Sequence, residues 1–461
     1  MEPRSLEFVC RACGGELISG SPQTEILRVG TDSRRAAPGE LFIALKGEKF
    51  DGHDFISEVV EKGASAVMVE HQRAKALHAA VIAVDDTRKA LGEFAARYRQ
   101  DFQLPVVAVA GSNGKTTTKE LIASVLQQQL PTVWSEASFN NDVGVPLTLL
   151  KIESKHRAAV LEVGTNHPGE LPALLRLIQP NFGVITSIGR EHLEHFGTME
   201  GVVQEEGSLA ELLPASGTLF VNGDSEWTPK IARRNRGQTV RVGVGAQNDW
   251  RGEFQSMDKG GVAFRMSAPR ADYSGEYRVG LLGRHQVTNA TFALAIAAQL
   301  GVEAEAARKG LAASKPPKMR MQFWEAGGIE VLDDSYNANA DSTLAALQAL
   351  ADLPCSGRRV AVLGDMAELG EHSVGAHKEV GRRAAELKID ELVAVGQFAA
   401  QTAEAASRAG LRNVTTFADV NSAVEAVPSL FRGKDLVLLK ASRASGLERI
   451  GERIREAKKP L

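Results

Sequence analysis

Short apolar runs alternate with stretches of helical spacing along most of the chain. Pro105 is followed by an uninterrupted apolar run at 106–110, and further runs that end in small or charged residues lie at 159–164 and 184–189. Apolar runs of this length, bounded by loop residues, are typical of buried strands, and their alternation with helices is typical of a parallel sheet. The pattern therefore predicts an α/β protein.

Two breaks in this pattern divide the chain into three predicted domains. A chain of 461 residues is too long for one hydrophobic core. The first boundary is placed near 105, where the central sheet is predicted to begin. The second is placed near 315, because Pro316 and Pro317 cannot continue a helix. The predicted domains are 1–105, 106–314 and 315–461.

The central and C-terminal domains differ in the strands that they predict. Between about 237 and 282, polar and apolar residues alternate among glycines, which predicts a small antiparallel addition to the central domain. In the last third, buried-strand candidates at 360–363, 392–395 and 436–439 repeat the βα pattern and predict a Rossmann-like domain. Ligands of such sheets bind beyond the carboxyl ends of the strands, where Lys440 stands.

Composition and charge exclude several classes of protein. The net charge of -3 provides no basic field for nucleic acid, and no apolar run reaches the roughly 18 residues of a membrane span. Three cysteines cannot form a disulfide framework, and the Cys10-x-x-Cys13 pair lacks the second ligand pair of a zinc site. We expect a cytoplasmic monomer that binds no nucleic acid and has no membrane span.

The clearest chemical motif is a phosphate loop directly after the apolar run at 106–110. It reads Gly111-Ser112-Asn113-Gly114-Lys115-Thr116-Thr117 and precedes a stretch of helical character. Glycines let backbone N–H groups face phosphate oxygens, the lysine neutralises their charge, and the first threonine can bind magnesium. Because Val109 stands where the longer motif has glycine, the loop alone supports only ATP or GTP hydrolysis and transfer.

Two further residues are candidates for a metal site beside this loop. Glu162 ends a predicted strand, where phosphoryl-transfer sites place a carboxylate for Mg²⁺. His192 also follows a strand. A surface glutamate and a structural histidine are the alternative interpretations. With Thr116, the two residues predict a metal site, and the histidine would favour Mn²⁺ over Mg²⁺.

The order of several motifs resembles the Mur ligase family over nearly the whole chain. Besides the phosphate loop, the motifs lie at 31–34, 39–47, 140–146, 162–170, 192–194, 334–339 and 363–370. The last two are similar to the branch of that family that adds D-alanyl-D-alanine. The resemblance implies that domain 1–105 binds UDP-N-acetylmuramoyl-peptide, that domain 106–314 binds ATP, and that domain 315–461 completes the ligase.

The resemblance also implies roles for individual residues. The implied catalytic residues are Lys115, Glu162, His192 and Glu206, with Thr116, Glu162 and His192 as metal ligands. Beyond the phosphate loop, the implied ATP-binding residues are Asn289, Arg320, Asp334 and Tyr336. The implied substrate-binding residues are Ser33, Arg34, Lys46, Asn140, Asn141, Lys440, Ser442 and Arg443.

The activity implied by the resemblance is the ATP-dependent addition of D-alanyl-D-alanine to UDP-N-acetylmuramoyl-tripeptide through an acyl phosphate. This is the last cytoplasmic peptide addition in peptidoglycan precursor synthesis. Two alternatives are a ligase similar to folylpolyglutamate synthase and a nucleotide-binding protein without ligase activity. The first is weakened by the N-terminal residues before the phosphate loop, which resemble a UDP-sugar domain.

Glu206 departs from the family pattern. Family members carry a lysine, carbamylated by CO₂, at the position where this chain has Glu206. A glutamate keeps the negative charge but is shorter by roughly 3 to 4 Å. We hypothesise that Glu206 supplies that charge directly or through a water molecule, so that no carbamylation is needed. The alternative is that Glu205 and Glu206 form a solvated acidic face.

Overall fold

Three large sheets follow one another along the chain. The computed structural model describes residues 1–457. Within them lie a five-stranded, a nine-stranded and a six-stranded sheet, here named the N-terminal, central and C-terminal sheets, and a separate two-stranded ribbon. The α/β prediction is confirmed. The boundaries near 105 and 315 fall between the sheets and stay predictions.

The N-terminal sheet is mostly parallel. Its region contains β1 (Arg4–Ser5), α1 (Leu6–Cys13), β2 (Glu16–Ser19), β3 (Glu25–Ile26), β4 (Arg28–Gly30), β5 (Glu40–Ile43), α2 (Ile56–Glu61), β6 (Ala66–Glu70), β7 (Ala80–Val84) and α3 (Thr87–Arg99). The strand order is β2-β7-β6-β5-β4, with only β2 antiparallel to its neighbour. Strands β5 to β7 are apolar because both faces of the sheet are covered.

The phosphate loop follows β8, the third strand from one end of the central sheet. Its region contains β8 (Val106–Ala110), α4 (Lys115–Leu126), β9 (Thr132–Trp134), α5 (Gly144–Leu149), β10 (Ala158–Glu162), α6 (Glu170–Ile178), β11 (Phe182–Ile185), α7 (Leu193–Phe196), α8 (Met199–Glu206), α9 (Ser208–Leu212), β12 (Thr218–Asn222), α10 (Thr228–Ala232), β13 (Gln238–Gly243), β14 (Trp250–Asp258), β15 (Gly261–Ser267), β16 (Gly275–Val279), α11 (Gln286–Gln299) and α12 (Ala304–Ala312). Strand β8 lies between β10 and β11, parallel to both, so the loops that follow these three strands meet at one edge.

The antiparallel addition is smaller than its sequence pattern predicts. Strands β14, β15 and β16 are antiparallel and extend the central sheet at one end. Strand β13, which shows the same polar and apolar alternation, instead pairs in parallel with β12 and β14. The prediction was wrong for β13, because alternation reports that one face is exposed and does not report strand direction.

The C-terminal sheet confirms the three strands predicted in the last third. Its region contains β17 (Gln322–Ala326), β18 (Ile329–Asp334), α13 (Ala340–Asp352), β19 (Arg359–Leu363), α14 (Ser373–Glu386), β20 (Glu391–Val395), α15 (Ala399–Arg408), β21 (Val414–Phe417), α16 (Val420–Leu430), β22 (Leu436–Lys440) and α17 (Glu448–Ala457). The strand order is β17-β18-β22-β19-β20-β21. Only β17 is antiparallel to its neighbour, so the sheet is Rossmann-like.

The helices of residues 1–457 include none with the length and apolar character needed to cross a membrane.

Arg190 links the central sheet to the C-terminal sheet. It lies in the loop after β11, and its Nη2 contacts Asp341 Oδ1 at 2.6 Å while its Nη1 contacts Glu379 Oε2 at 2.6 Å. The backbone N–H of Arg190 also donates to Asp341 Oδ2 at 2.9 Å. Asp341 belongs to α13 and Glu379 to α14, so one arginine joins two helices of the C-terminal sheet to the central sheet.

The Arg190→Ala variant should loosen the arrangement of these two sheets. Charge-assisted hydrogen bonds to two carboxylates, one on α13 and one on α14, would be lost. We expect a larger radius of gyration in small-angle X-ray scattering. Arg270→Ala is the matched control, because Arg270 pairs with Asp272, two residues along the chain, and its further contacts with Ala298 and Tyr273 lie within the same region of the central domain. Superimposable scattering curves for Arg190→Ala and the unaltered protein would contradict this role.

Candidate active site

The phosphate loop is shaped by two glycines that no other residue could replace without a shift. Gly111 has a φ of 113°, and a Cβ there would lie 2.5 Å from Thr186 Oγ1. Gly114 has a φ of 85°, and a Cβ there would lie 2.8 Å from Asn289 Oδ1. The loop therefore packs closely against the end of β11 and against α11. It leads into α4, whose first N–H groups lack partners within the helix and can bind an anion.

Lys115 is held inside this loop among acidic side chains. Its Nζ donates to Gly111 O at 2.5 Å and contacts Glu191 Oε2 at 3.3 Å. Burial alone would lower the pKa of the ammonium group, but neighbouring carboxylates outweigh burial and raise the pKa above its usual value. In decreasing order of influence, those carboxylates belong to Glu191, Glu206 and Glu162. The lysine therefore stays charged.

Glu206 forms a direct hydrogen bond with the phosphate loop. Its Oε2 accepts a hydrogen bond of 2.7 Å from the N–H of Gly111, and the side chain is buried. Burial, followed by the nearby Glu191 carboxyl group, raises the pKa of Glu206 to about 8, although Lys115 acts in the opposite direction. Glu206 is therefore in direct contact with the phosphate loop, and its charge depends on the cations around it.

The alternative of a solvated acidic face is contradicted by the structure. Glu205 and Glu206 are 7% and 1% exposed. Glu205 accepts N–H groups of Gly169 at 2.9 Å and Leu171 at 2.8 Å, at the start of α6. Sequence reasoning missed this structural role, because a carboxylate that caps another helix leaves no local pattern.

Glu162 meets the requirements of a cation ligand. It ends β10, and its Oε1 accepts a hydrogen bond of 2.8 Å from Asn140 Nδ2, which orients the carboxylate. Its Oε2 is buried and has no hydrogen-bond partner among residues 1–457. An ionised carboxylate oxygen without a partner in the interior is costly. A divalent cation would satisfy it.

His192 is oriented for a ligand by a residue of the C-terminal sheet. Its Nδ1 contacts Glu368 Oε2, in the segment between β19 and α14. When one ring nitrogen of histidine is bound to a carboxylate, the other can accept a proton or a metal ion. The second nitrogen, Nε2, lies 4.0 Å from Glu191 Oε2. No local sequence pattern indicates the contact with Glu368, which lies far away along the chain.

The acidic and histidine side chains do not form a complete metal cage. Across the part of the chain that the structure describes, no three His, Cys, Asp or Glu side chains are arranged to hold a metal ion by themselves. Magnesium in phosphoryl-transfer sites is usually held by one or two carboxylates, water and substrate phosphates. The predicted ligands Thr116, Glu162 and His192 therefore fit a cation that binds together with a nucleotide.

The predicted ATP-binding residues lie in two groups. Asn289 packs against the phosphate loop at Gly114 and accepts a hydrogen bond of 3.2 Å from Thr118 Oγ1. The second group lies on the C-terminal sheet, where the Arg320 guanidinium stacks 4.1 Å from the centre of the Tyr336 ring. The Tyr336 hydroxyl contacts Ser138, in the loop between β9 and α5. This second group therefore touches the central domain at that loop.

The residues predicted to lie near the incoming amine join this second group. Lys440 Nζ pairs with Asp334 Oδ2 at 2.7 Å. Ser442 Oγ accepts a hydrogen bond of 2.8 Å from Ala367 N, and Arg443 pairs with Glu448 at 3.2 Å. Lys440 and Ser442 therefore order the loops at the carboxyl ends of the strands.

The predicted substrate-binding residues of the first domain do not reach the phosphate loop. Arg34 pairs with Asp32 at 2.8 Å and is exposed, and the Ser33 carbonyl accepts a hydrogen bond of 3.0 Å from Lys62 Nζ. Lys46, the third predicted residue of this domain, is connected to the central domain by a contact with Arg88.

Arg88 spans the two sheets at this point. It donates to the Lys46 carbonyl at 3.5 Å and pairs with Asp142 at 2.9 Å. Asn141, next to Asp142, accepts a hydrogen bond of 2.9 Å from Gly144 N at the start of α5, which is a structural role. Lys46 and Asp142 therefore lie on opposite sides of the Arg88 side chain.

Comparison with known proteins agrees with this geometry. Residues 25–99 match the catalytic domain of the Mur ligase family, residues 109–297 the Mur ligase middle domain, and residues 319–443 the Mur ligase glutamate ligase domain. The chain is 36% identical to the UDP-N-acetylmuramoyl-tripeptide–D-alanyl-D-alanine ligase of Bacillus subtilis (strain 168), and the match covers 98% of each chain.

Solved structures give the same result. A crystal structure of MurF from Acinetobacter baumannii matches 99% of each chain, with 34% identity and a TM-score of 0.90. MurF from Thermotoga maritima in complex with ADP has 26% identity and a TM-score of 0.79, and the match covers 93% of this chain and 97% of that one. A folylpolyglutamate synthase of Mycobacterium tuberculosis, with 17% identity and a TM-score of 0.63 over 81% of this chain and 95% of its own, shares the fold alone.

The three matched segments cover most of the chain, and the phosphate loop, Glu162 and His192 lie in the middle one. The predicted family is confirmed: the chain belongs to the Mur ligase family.

Proposed function

We propose that this protein is an ATP-dependent ligase that joins D-alanyl-D-alanine to UDP-N-acetylmuramoyl-tripeptide and uses Mg²⁺, or Mn²⁺, with the nucleotide. It acts as a cytoplasmic monomer in peptidoglycan precursor synthesis. The observation that carries the proposal is the position of Lys115, charged and half-buried in a phosphate loop, together with Glu162, whose free carboxylate oxygen suits a cation. The similarity to MurF proteins over nearly the full length of the chain identifies the substrates.

The reaction is an acyl activation followed by amide formation. An oxygen of the tripeptide terminal carboxylate attacks the γ-phosphorus of ATP, the bond to the leaving ADP oxygen breaks, and an acyl phosphate forms. The amine of D-alanyl-D-alanine then attacks the acyl carbon and loses a proton. The tetrahedral intermediate collapses, the carbon–oxygen bond breaks, and inorganic phosphate leaves. Positioning and charge neutralisation supply most of the catalysis in such a transfer.

The chain's own residues divide these tasks. The N–H groups at the start of α4 and the Lys115 ammonium would bind the phosphate oxygens, as they do in other phosphate loops. Thr116, Glu162 and His192 would hold the divalent cation, which neutralises phosphate charge when bound. Glu206 keeps the Gly111 N–H in place and so fixes the first turn of the loop.

The substrates would enter from three sides. Domain 1–105 would bind the UDP-sugar, and domain 106–314 would bind ATP. Domain 315–461 would close the nucleotide site and bring the dipeptide to it. On this proposal, Ser33, Arg34, Lys46, Asn140 and Asn141 serve the acceptor. Asn289, Arg320, Asp334 and Tyr336 serve ATP, and Lys440, Ser442 and Arg443 serve the dipeptide.

Release of ADP from ATP should depend on both other substrates. We expect turnover only when UDP-N-acetylmuramoyl-tripeptide and D-alanyl-D-alanine are present together, measured with a coupled ADP assay and by mass spectrometry of the pentapeptide product. Glutamate with a folate acceptor is the matched control for the folylpolyglutamate synthase alternative. Binding of ATP without any substrate-dependent ADP release would instead support a nucleotide-binding protein without ligase activity.

Replacement of Glu206 by alanine should impair catalysis. The variant leaves the buried Gly111 N–H without an acceptor, at a cost of about 1–3 kcal/mol. If that cost falls on the transition state, kcat/KM decreases by about ten-fold or more. Glu206→Gln retains an acceptor for the N–H and should lose less. Glu200→Ala is the matched control, because Glu200 lies on the same helix and is exposed.

Two outcomes would count against a role for Glu206. Unchanged turnover of Glu206→Ala would show that its carboxylate has no part in catalysis. Higher activity of Glu206→Lys than of the unaltered protein, with added bicarbonate, would show that a carbamylated lysine serves better than the native glutamate. Retention of the fold in each variant is checked by its thermal unfolding midpoint.

A further inference from the structure

Glu191 lies at the centre of the acidic group but has no role in the reaction described so far. It precedes His192 in the loop between β11 and α7, and only 7% of it is exposed. Its Oε2 is 3.3 Å from Lys115 Nζ and 4.0 Å from His192 Nε2. One carboxylate oxygen thus lies between the phosphate-loop lysine and the available nitrogen of the candidate metal histidine.

The charges around this oxygen do not balance. Two buried carboxylates, those of Glu191 and Glu162, act on the single ammonium group of Lys115, and the buried Glu206, whose pKa is raised to about 8, ionises fully only when more positive charge lies near it. In a phosphate loop the lysine binds phosphate oxygens when a nucleotide is present. Glu191 then loses its partner while it remains buried, and a buried carboxylate without a partner is costly. A divalent cation next to Glu191 would replace the charge that Lys115 takes to the phosphates.

The geometry is close to that of a cation ligand pair. Two neighbouring ligands of an octahedral Mg²⁺ ion, each 2.0–2.1 Å from it, lie about 3 Å apart. Glu191 Oε2 and His192 Nε2 are 4.0 Å apart, so a shift of about 1 Å would bring them to that separation. His192 is already fixed at Nδ1 by Glu368, which leaves Nε2 facing Glu191.

The second observation that points to a cation is Glu162. Its Oε2 is buried and unpartnered within residues 1–457, and its charge acts on the same lysine. Glu162 and Glu191 therefore both act on the ammonium group of Lys115. The donors present are carboxylate oxygens and one imidazole nitrogen, a set that suits Mg²⁺ or Mn²⁺ bound together with phosphate oxygens.

We propose that Glu191 exchanges partners during nucleotide binding. It holds Lys115 before the nucleotide arrives, and it binds the divalent cation, together with His192 Nε2, once Lys115 has turned to the phosphates. This inference rests on the proposed nucleotide and cation site. It adds one carboxylate to that site. While no phosphate is bound, this carboxylate takes the place of the phosphate as the partner of Lys115.

The exchange predicts two opposite effects of the Glu191→Gln variant. Mn²⁺ should bind the complex with β,γ-methylene-ATP more weakly, by roughly ten-fold or more, because the variant loses a charged ligand. The same nucleotide analogue in EDTA should bind more tightly than it binds the unaltered protein, since Lys115 is no longer held by a carboxylate. Mn²⁺ binding is measured by electron paramagnetic resonance, and metal-free nucleotide binding by calorimetry.

Matched variants distinguish this role from a loss of structure. Glu200→Gln removes an exposed carboxylate from α8 and should change neither affinity. Glu191→Asp keeps the charge on a shorter side chain and should give Mn²⁺ affinity between those of the unaltered protein and Glu191→Gln. A purely structural defect would weaken both binding reactions, and that result would overturn the exchange.

Binding measurements on the unaltered protein distinguish a failure of this inference from a failure of the proposed function. If it binds Mn²⁺ with the nucleotide analogue and Glu191→Gln binds Mn²⁺ equally well, the assignment of Glu191 is wrong and the proposed site stands. If the unaltered protein binds the analogue but no Mn²⁺, both the exchange and the proposed cation site are wrong.

Discussion

The ammonium group of Lys115 is surrounded by buried carboxylates, and the arrangement of the site depends on that contact. Glu191 reaches it from the loop after β11, while Glu206 on α8 accepts a hydrogen bond from Gly111, the first glycine of the phosphate loop. Removing several acidic groups from water is unfavourable unless cations lie beside them. The carboxylates of Glu191 and Glu162, and Glu206 with its pKa raised to about 8, share one lysine. On the proposed function, the cation that accompanies the nucleotide would supply further positive charge.

The same edge of the central sheet is also where the C-terminal sheet attaches. Asn339, which caps α13, donates to Asn113 of the phosphate loop at 3.0 Å, and Arg190 binds Asp341 in the first turn of that helix. Glu368 orients His192 from the same side. Residues of the C-terminal sheet therefore touch the phosphate loop and the candidate metal histidine directly. Movement of that sheet would alter the geometry of both.

The sequence predicted those parts of the fold and site that are encoded locally. Strand β8 and the phosphate loop could be predicted because a fully buried parallel strand is uniformly apolar and the loop needs glycine at fixed positions. The parallel pairing of β13 could not, since its alternating pattern is shared by parallel and antiparallel strands. Glu205, which caps a distant helix, and Glu368, which orients His192 from another sheet, depend on tertiary contacts that no local pattern records.

Glu191 is an intermediate case. Its position next to His192 was a usable signal, but a charged residue beside a histidine is more often a solvated surface residue than a ligand. The burial of Glu191 and its short distance from Lys115 are what distinguish it from a solvated surface residue. Glu206 shows the reverse: the motif comparison identified its position, and the structure added the hydrogen bond to Gly111 that explains how it acts.

The carboxylates around Lys115 should make nucleotide binding depend on a divalent cation. Calorimetric titration of the unaltered protein with β,γ-methylene-ATP, once with Mg²⁺ and once in EDTA, measures this dependence. The buried carboxylates beside Lys115 predict that removal of Mg²⁺ weakens binding by roughly 100-fold or more. Equal affinity under the two conditions would show the opposite, because Lys115 alone would then offset both the carboxylates and the phosphates.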